Sequence, residues 1–309
     1  MSSICKWSLS LVLTLLTGTE LALATTSLTP SEEELNYSDA PIYLASCRWW
    51  QIFTDECNAA DPRSGIKRNT PYIITPDRTK IRQQPPLVRW NAVEGITQYK
   101  IQVKGPDVQY TSDIVTDNAW QYPADLPLEP GITYTIMVIP QGQSCMQVGS
   151  ELPCEGKFTV LTNQQSAQLE EDLVALPLFE RSNPLKIASI YQKYELYADA
   201  IDALEKAISA GSNSREYNQF LGELYEQVGL YDLALDKYQE ALRVAEEEKD
   251  VLVQAKLSAA MGELNFTRTD YKEAARWFEQ AKTHLEQLVY DEEIEGLEQR
   301  INDALERVD

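Results

Sequence analysis

Phe220-Leu221-Gly222-Glu223-Leu224-Tyr225-Glu226-Gln227-Val228-Gly229-Leu230-Tyr231-Asp232-Leu233-Ala234-Leu235-Asp236-Lys237-Tyr238-Gln239-Glu240-Ala241-Leu242 decides the fold. Apolar residues recur with a helical period on both sides of the short turn Leu230-Tyr231-Asp232, so the stretch predicts a pair of helices. Its key columns are Leu221, Gly222, Tyr225, Tyr231, Ala234, Tyr238 and Ala241. Forty residues on they return as Met261, Gly262, Asn265, Tyr271, Ala274, Phe278 and Ala281. Thirty-four residues earlier they stand as Ile187, Ala188, Tyr191, Tyr197, Ala200, Leu204 and Ala207. The column of Tyr225 loses its aromatic at Asn265, and that of Tyr238 and Phe278 has Leu204 in the first copy.

A helix pair cannot bury its apolar face alone, so stacked copies are required. Ala or Gly at a crossing point lets two backbones approach, and a larger Leu, Tyr or Phe fills the space beside it. This period and order of small and aromatic residues resemble the tetratricopeptide repeat. The resemblance covers residues 181–286, as approximate copies at 181–214, 215–254 and 255–288. The Pro that usually ends each repeat is absent, and six extra residues sit around Glu246-Glu247-Glu248-Lys249-Asp250. Residues 287–309 form a further amphipathic helix (Leu288, Ile294, Leu297, Ile301, Leu305), expected to cap the last core face. Residues 163–180 are expected to be a polar linker, Thr162 to Gln168, followed by a cap at Leu169 to Leu176.

Upstream, residues 71–162 break into short alternating runs bounded by Pro, Gly and Asp: Leu87–Trp90, Tyr99–Val103, Gln109–Val115, Tyr134–Ile139 and Lys157–Leu161. Such spacing predicts an all-β sandwich. Leu128-Glu129-Pro130-Gly131-Ile132-Thr133-Tyr134 resembles the motif before the sixth strand of fibronectin type III domains. The resemblance implies a corner hydrogen bond from Tyr134 and a core position for Trp90. The expected fold class is therefore multidomain, an immunoglobulin- or fibronectin-like sandwich followed by an all-α solenoid.

Residues 1–24 read as a signal peptide. Lys6 precedes the apolar Leu9 to Leu16, Glu20 keeps the run too short to span a bilayer, and Ala22-Leu23-Ala24 offers a cleavage site. The expected location is periplasmic or secreted, and the style of the leader points to a bacterium. After cleavage four Cys remain, in two close pairs, Cys47 with Cys57 and Cys145 with Cys154. Local disulfides are the economical reading in an oxidising compartment, although four Cys allow three connectivities. A zinc knuckle is disfavoured, because gaps of nine and eight residues exceed its ligand spacing. Residues 25–70 read as a leader and a disulfide-bearing segment, with Trp49 and Trp50 beside Cys47.

Formal net charge is −21, from 48 acidic and 27 basic residues, which argues against nucleic-acid or anionic-lipid binding. The one His, His284, is expected to face solvent on a repeat helix. With no second His and no Gly-rich phosphate loop, neither a catalytic site nor a cofactor or metal site is expected. The sequons at Asn36 and Asn265 carry little weight.

The repeat resemblance implies a concave groove lined by the first helix of each pair. Its positions in this chain are Leu185, Ser189, Gln192, Gln219, Glu223, Glu226, Gln227, Ala259, Glu263 and Phe266. Rich in Gln and Glu, it is expected to be mildly acidic, with an apolar spot at Phe266, and to take a basic or amphipathic protein segment. The expected function is a non-catalytic adapter acting outside the cytoplasm. The alternative is a carbohydrate- or wall-binding module, with Trp49, Trp50 and Trp120 stacking on sugar.

Overall fold

The computed structural model describes residues 71–142, 154–212, 214–288 and 291–308, together with two short strands, β1 (Tyr43–Leu44) and β2 (Cys47–Arg48). The signal peptide, the sequon at Asn36, Trp49, Trp50, Cys57 and Cys145 lie outside the described residues.

Eight strands follow: β3 (Ile73–Thr75), β4 (Thr79–Ile81), β5 (Leu87–Trp90), β6 (Tyr99–Lys104), β7 (Gln109–Thr111), β8 (Ala119–Gln121), β9 (Thr133–Pro140) and β10 (Glu155–Val160). They form a three-stranded sheet, β3-β5-β8, and a five-stranded sheet, β4-β10-β9-β6-β7. Alternation sets the core, because successive strand residues point to opposite faces. Tyr99, Ile101 and Val103 of β6 and Tyr134, Ile136 and Val138 of β9 turn inward to meet Val88 and Trp90 of β5. Tyr134 lies opposite Phe158 in the ladder and stacks on it at 5.6 Å. The backbone N–H of Glu129 donates to Tyr134 Oη at 2.9 Å, and Gly131 takes φ +79° in the turn between them. β7 stops at Thr111 rather than Val115, because the Ser112 hydroxyl takes the Ile101 N–H at 2.9 Å and interrupts the ladder.

The helices are α1 (Asn163–Ala175), α2 (Pro184–Lys193), α3 (Tyr197–Ser209), α4 (Arg215–Gln227), α5 (Tyr231–Glu248), α6 (Val251–Thr267), α7 (Tyr271–Glu286) and α8 (Asp291–Glu306). The segment expected as a linker is helical from Asn163. Thr162 and Gln165 form a capping box, each side chain taking the other's backbone N–H, at 3.1 and 3.2 Å. Three helix pairs follow: α2–α3, α4–α5 and α6–α7. The extra residues of the second pair lengthen α5, which ends at Lys249 in the left-handed region with φ 58°.

At each crossing a small residue faces a large one. An ideal Cβ on Gly222 would stand 2.6 Å from the Tyr238 ring, and one on Gly262 would stand 2.5 Å from the Phe278 ring. Ala188 and Leu204, in the same columns of the first pair, are fully buried in the same core. Asn265, which replaces the aromatic of its column, turns its amide back onto the Met261 carbonyl at 2.7 Å. No described helix is long and apolar enough to cross a membrane.

Sandwich and helices are joined by specific contacts. Thr79 Oγ1 donates to the Glu195 carbonyl at 3.1 Å and accepts the Ala198 N–H at 3.2 Å. Lys80 pairs with Glu195, Arg82 with Asp199 and Arg89 with Glu205, at 2.8, 2.6 and 2.7 Å. Tyr72 and Ile74 pack onto the helical core.

Candidate functional site: the repeat groove

The first helices of the pairs, α2, α4 and α6, carry the groove positions. Three of those on α4 are closed to solvent. Gln219, Glu223 and Glu226 keep only 7, 6 and 3% of their surface. Gln219 donates to Glu223 Oε1 at 3.0 Å, and Tyr238 Oη donates to Glu226 Oε2 at 2.7 Å. Burial disfavours the charged form of a carboxyl. It pushes Glu223 up to about 8, against the hydrogen bond from Gln219, and Glu226 up to about 8, against that from Tyr238. Both groups are accordingly protonated through much of the neutral range. The expectation of a solvated acidic face on α4 does not hold, because the side chains that supply the charge are desolvated.

On α6, Ala259 is buried, while Glu263 and Phe266 are half-buried beneath α8. Arg300 of α8 grips both oxygens of Glu263, its Nε at 2.7 Å from Oε1. The same guanidinium stacks over Phe266 at 4.2 Å, with Arg307 beyond it at 5.1 Å and Tyr271 edge-on at 5.2 Å. Burial pushes Glu263 up while Arg300 pulls it down. The apolar spot expected at Phe266 is therefore sandwiched between aromatic and guanidinium surfaces. On α2, Ser189 is exposed, and Leu185 and Gln192 are half-buried, as is Gln227 at the end of α4.

The structure thus brings Gln219, Glu223, Glu226 and Glu263 into one row across α4 and α6. It leaves Ser189, Gln192 and Gln227 at the more open positions. Sequence reading missed the burial, and it missed Arg300 and Arg307 as members of the site. The one available signal was helix α6. Val251-Leu252-Val253-Gln254-Ala255-Lys256-Leu257-Ser258-Ala259-Ala260-Met261 has apolar and small residues on every side, which marks a helix surrounded by protein. Gln254, Lys256 and Ser258 are indeed buried with the rest.

Residues 215–287 match the tetratricopeptide repeat family. That match spans α4 to α7, the two pairs carrying the buried row. Among solved structures the chain is similar to two crystal structures of MamA, at 18 and 17% identity. They align with 47% of this chain and with 85 and 91% of theirs, at TM-scores of 0.33 and 0.28. No curated protein matches the chain.

Elsewhere, a cleft of about 330 Å³ lies where sandwich and helices meet, beside Arg82, Arg89 and Lys206. Each of these cations is already paired, with Asp199, Glu205 and Asp202 respectively, so the cleft presents no uncompensated charge to a ligand. His284 is half-buried rather than solvent-facing, and burial lowers its pKa. Trp120 is half-buried and stacks on Tyr110 at 6.0 Å, so it packs within the sandwich.

Proposed function

We propose that the protein is a non-catalytic adapter that acts outside the cytoplasm and binds a protein segment in the groove of its repeats. The observation that carries this reading is the family match over α4 to α7. Stacked pairs of this kind place successive first helices side by side and so build an extended binding surface. The sheet order also supports a fibronectin type III-like identity for the sandwich, as does the hydrogen bond received by Tyr134. Export is supported by the leader sequence and by the even number of Cys after cleavage. We assign local pairs, Cys47 with Cys57 and Cys145 with the fully buried Cys154. Residues 181–214 complete the array as a first repeat, α2–α3.

The test is capture on the purified chain from the exported fraction of its own cells, read by mass spectrometry. A variant with Ser189→Lys, Gln192→Lys and Gln227→Lys is run beside it, since these are the more open positions of the groove. A protein retained by the parent and lost by the variant is the expected result. Retention of wall polysaccharide alone, unchanged in the variant, would transfer the function to the sandwich.

A further inference from the structure

Large apolar side chains avoid water, yet the turn between α1 and α2 holds two of them outward. Leu178 and Phe179 are each 81% exposed, and Val174, in the last turn of α1, is 63% exposed. Hydrogen bonds fix the turn that presents them. The Pro177 carbonyl accepts the N–H groups of Glu180 and Arg181 at 2.8 and 3.2 Å, and the Glu180 carbonyl accepts that of Asn183 at 2.9 Å. The Arg181 side chain donates to the Leu176 carbonyl at 3.0 Å and to the Val174 carbonyl, acceptors that the end of a helix leaves free. The three apolar side chains expose on the order of 400 Å² together, the size of patch that marks a contact on a monomer. Charge divides about this patch, in a chain whose net charge is −21. On the α1 side stand Glu170, Glu171 and Asp172, whereas Leu176 to Lys193 hold Arg181, Lys186 and Lys193 against Glu180 alone. Asp172 and Lys193 pair with each other at 2.7 Å. Glu171, Arg181 and Lys186 form no ion pair among the described residues.

We infer that this turn is a contact between two copies of the chain, packed about a two-fold axis at Leu178 and Phe179. A two-fold contact uses one patch twice, so the patch must complement itself. Here the apolar centre meets its own copy, and the acidic α1 side of each copy faces the basic α2 side of the other. A strongly acidic surface elsewhere repels a second copy, which singles out the patch where both signs are present. Joining two patches removes about 800 Å² of apolar surface from water, less than the roughly 1,200 Å² at which standard interfaces begin. The dimer is therefore transient, with a Kd of about 10–300 μM. It stands independently of the adapter reading. Where that reading holds, each dimer carries two grooves and gains avidity for a partner with two segments.

The test follows the full chain, with no partner present, by sedimentation velocity from about 5 to 500 μM, a range that brackets the expected Kd. The expected result is a shift from monomer to dimer across it. Phe179→Asp, and separately Leu178→Ser, should weaken the dimer at least about tenfold, because each removes apolar surface from the centre of the contact. Both side chains are exposed, so the far-UV spectrum of each variant should match the parent's. Glu171→Lys and Lys186→Glu should each weaken the dimer about threefold, and the two combined should restore it, since the axis sets one across from the other. A chain that stays monomeric throughout, or one that dimerises equally well with Phe179→Asp, overturns the inference. A combined charge variant no better than either single one overturns the two-fold packing. A monomer that binds phosphatidylcholine vesicles, and loses them with Phe179→Asp, would give the turn to a membrane surface instead. Because the readout needs no partner, failure to capture one would count against the adapter reading alone.

Discussion

Replacing Gly262 by Ala tests the packing logic of the whole array. The added Cβ would stand 2.5 Å from Cδ1 and Cε1 of Phe278 and 3.0 Å from Cζ. Carbon atoms do not approach so closely, so the ring or a helix must move. Phe278 is fully buried, and the movement propagates into α7. Overpacking of this kind costs about 1–3 kcal/mol. Ala is the better helix former by about 1 kcal/mol, which opposes the clash. Because the Phe278 ring is fully buried and cannot swing clear, the clash falls in the upper part of that range, about 2–3 kcal/mol, and we expect a net loss of about 1–2 kcal/mol, read as a lower urea midpoint by far-UV circular dichroism. The helix pair α2–α3 shows the remedy, for there Ala188 accompanies Leu204 in the columns of Gly262 and Phe278. Phe278→Leu alone should cost about 1 kcal/mol through the space it leaves. Combined with Gly262→Ala it should cost less than the two losses added, by about 1 kcal/mol of favourable coupling. A Gly262→Ala chain as stable as the parent, or a strictly additive double variant, would refute the close-approach account.

The pH dependence follows from Glu223 and Glu226. Each is raised from 4.5 to about 8, so the folded chain holds protons that the unfolded chain has released between those values. Their stabilising contribution is complete below pH 4.5 and is lost as pH rises toward 8, by at most about 5 kcal/mol per group. Urea midpoints across that window should fall, and Glu223→Gln with Glu226→Gln should flatten the profile; a parental midpoint that rises with pH contradicts the argument. Thr269 holds a left-handed backbone at φ 63°, which costs a β-branched residue about 1–2 kcal/mol, so Thr269→Gly should raise stability by about 0.5–1 kcal/mol after the entropy of the new glycine is subtracted. A lower melting temperature would show that the strain is absent. Tyr134→Phe removes the acceptor of the Glu129 N–H and should lower sandwich stability by about 1–2 kcal/mol, with unchanged stability by denaturant titration as the contrary outcome.

What the sequence disclosed depended on redundancy. The columns around Gly222, Tyr238, Gly262 and Phe278 were readable because the same physical constraint is written more than once. Strands β5, β6 and β9 were readable because each has a full alternation. Strands β3, β4 and β8 have three residues each, too few for a period to emerge, and only their partners make them strands. The start of α1 was legible in principle, in Thr162 and Gln165, but its polar surroundings suggested a linker. The groove was misjudged for a different reason. Composition treats Gln and Glu as solvated, whereas the exposure of Glu223 and Glu226 depends on how α4 packs against its neighbours, Tyr238 of α5 among them.

The same long-range logic explains why the sandwich is more than an appendage. A stack of helix pairs exposes an unsatisfied face at each end. At the far end α8 covers α7, burying Leu297, Ile301 and Ala304. At the near end α1 seats Leu169 against Tyr194 and Leu196, and β4 lies along α3. The turn inside the first pair places Glu195 in the left-handed region at φ 58°, as Gly229 and Thr269 are placed in the second and third at 77° and 63°. In the first pair that turn also presents the Glu195 carbonyl to the Lys80 N–H at 2.8 Å and to Thr79. A conformation required by the repeat is thus used as the docking point for β4.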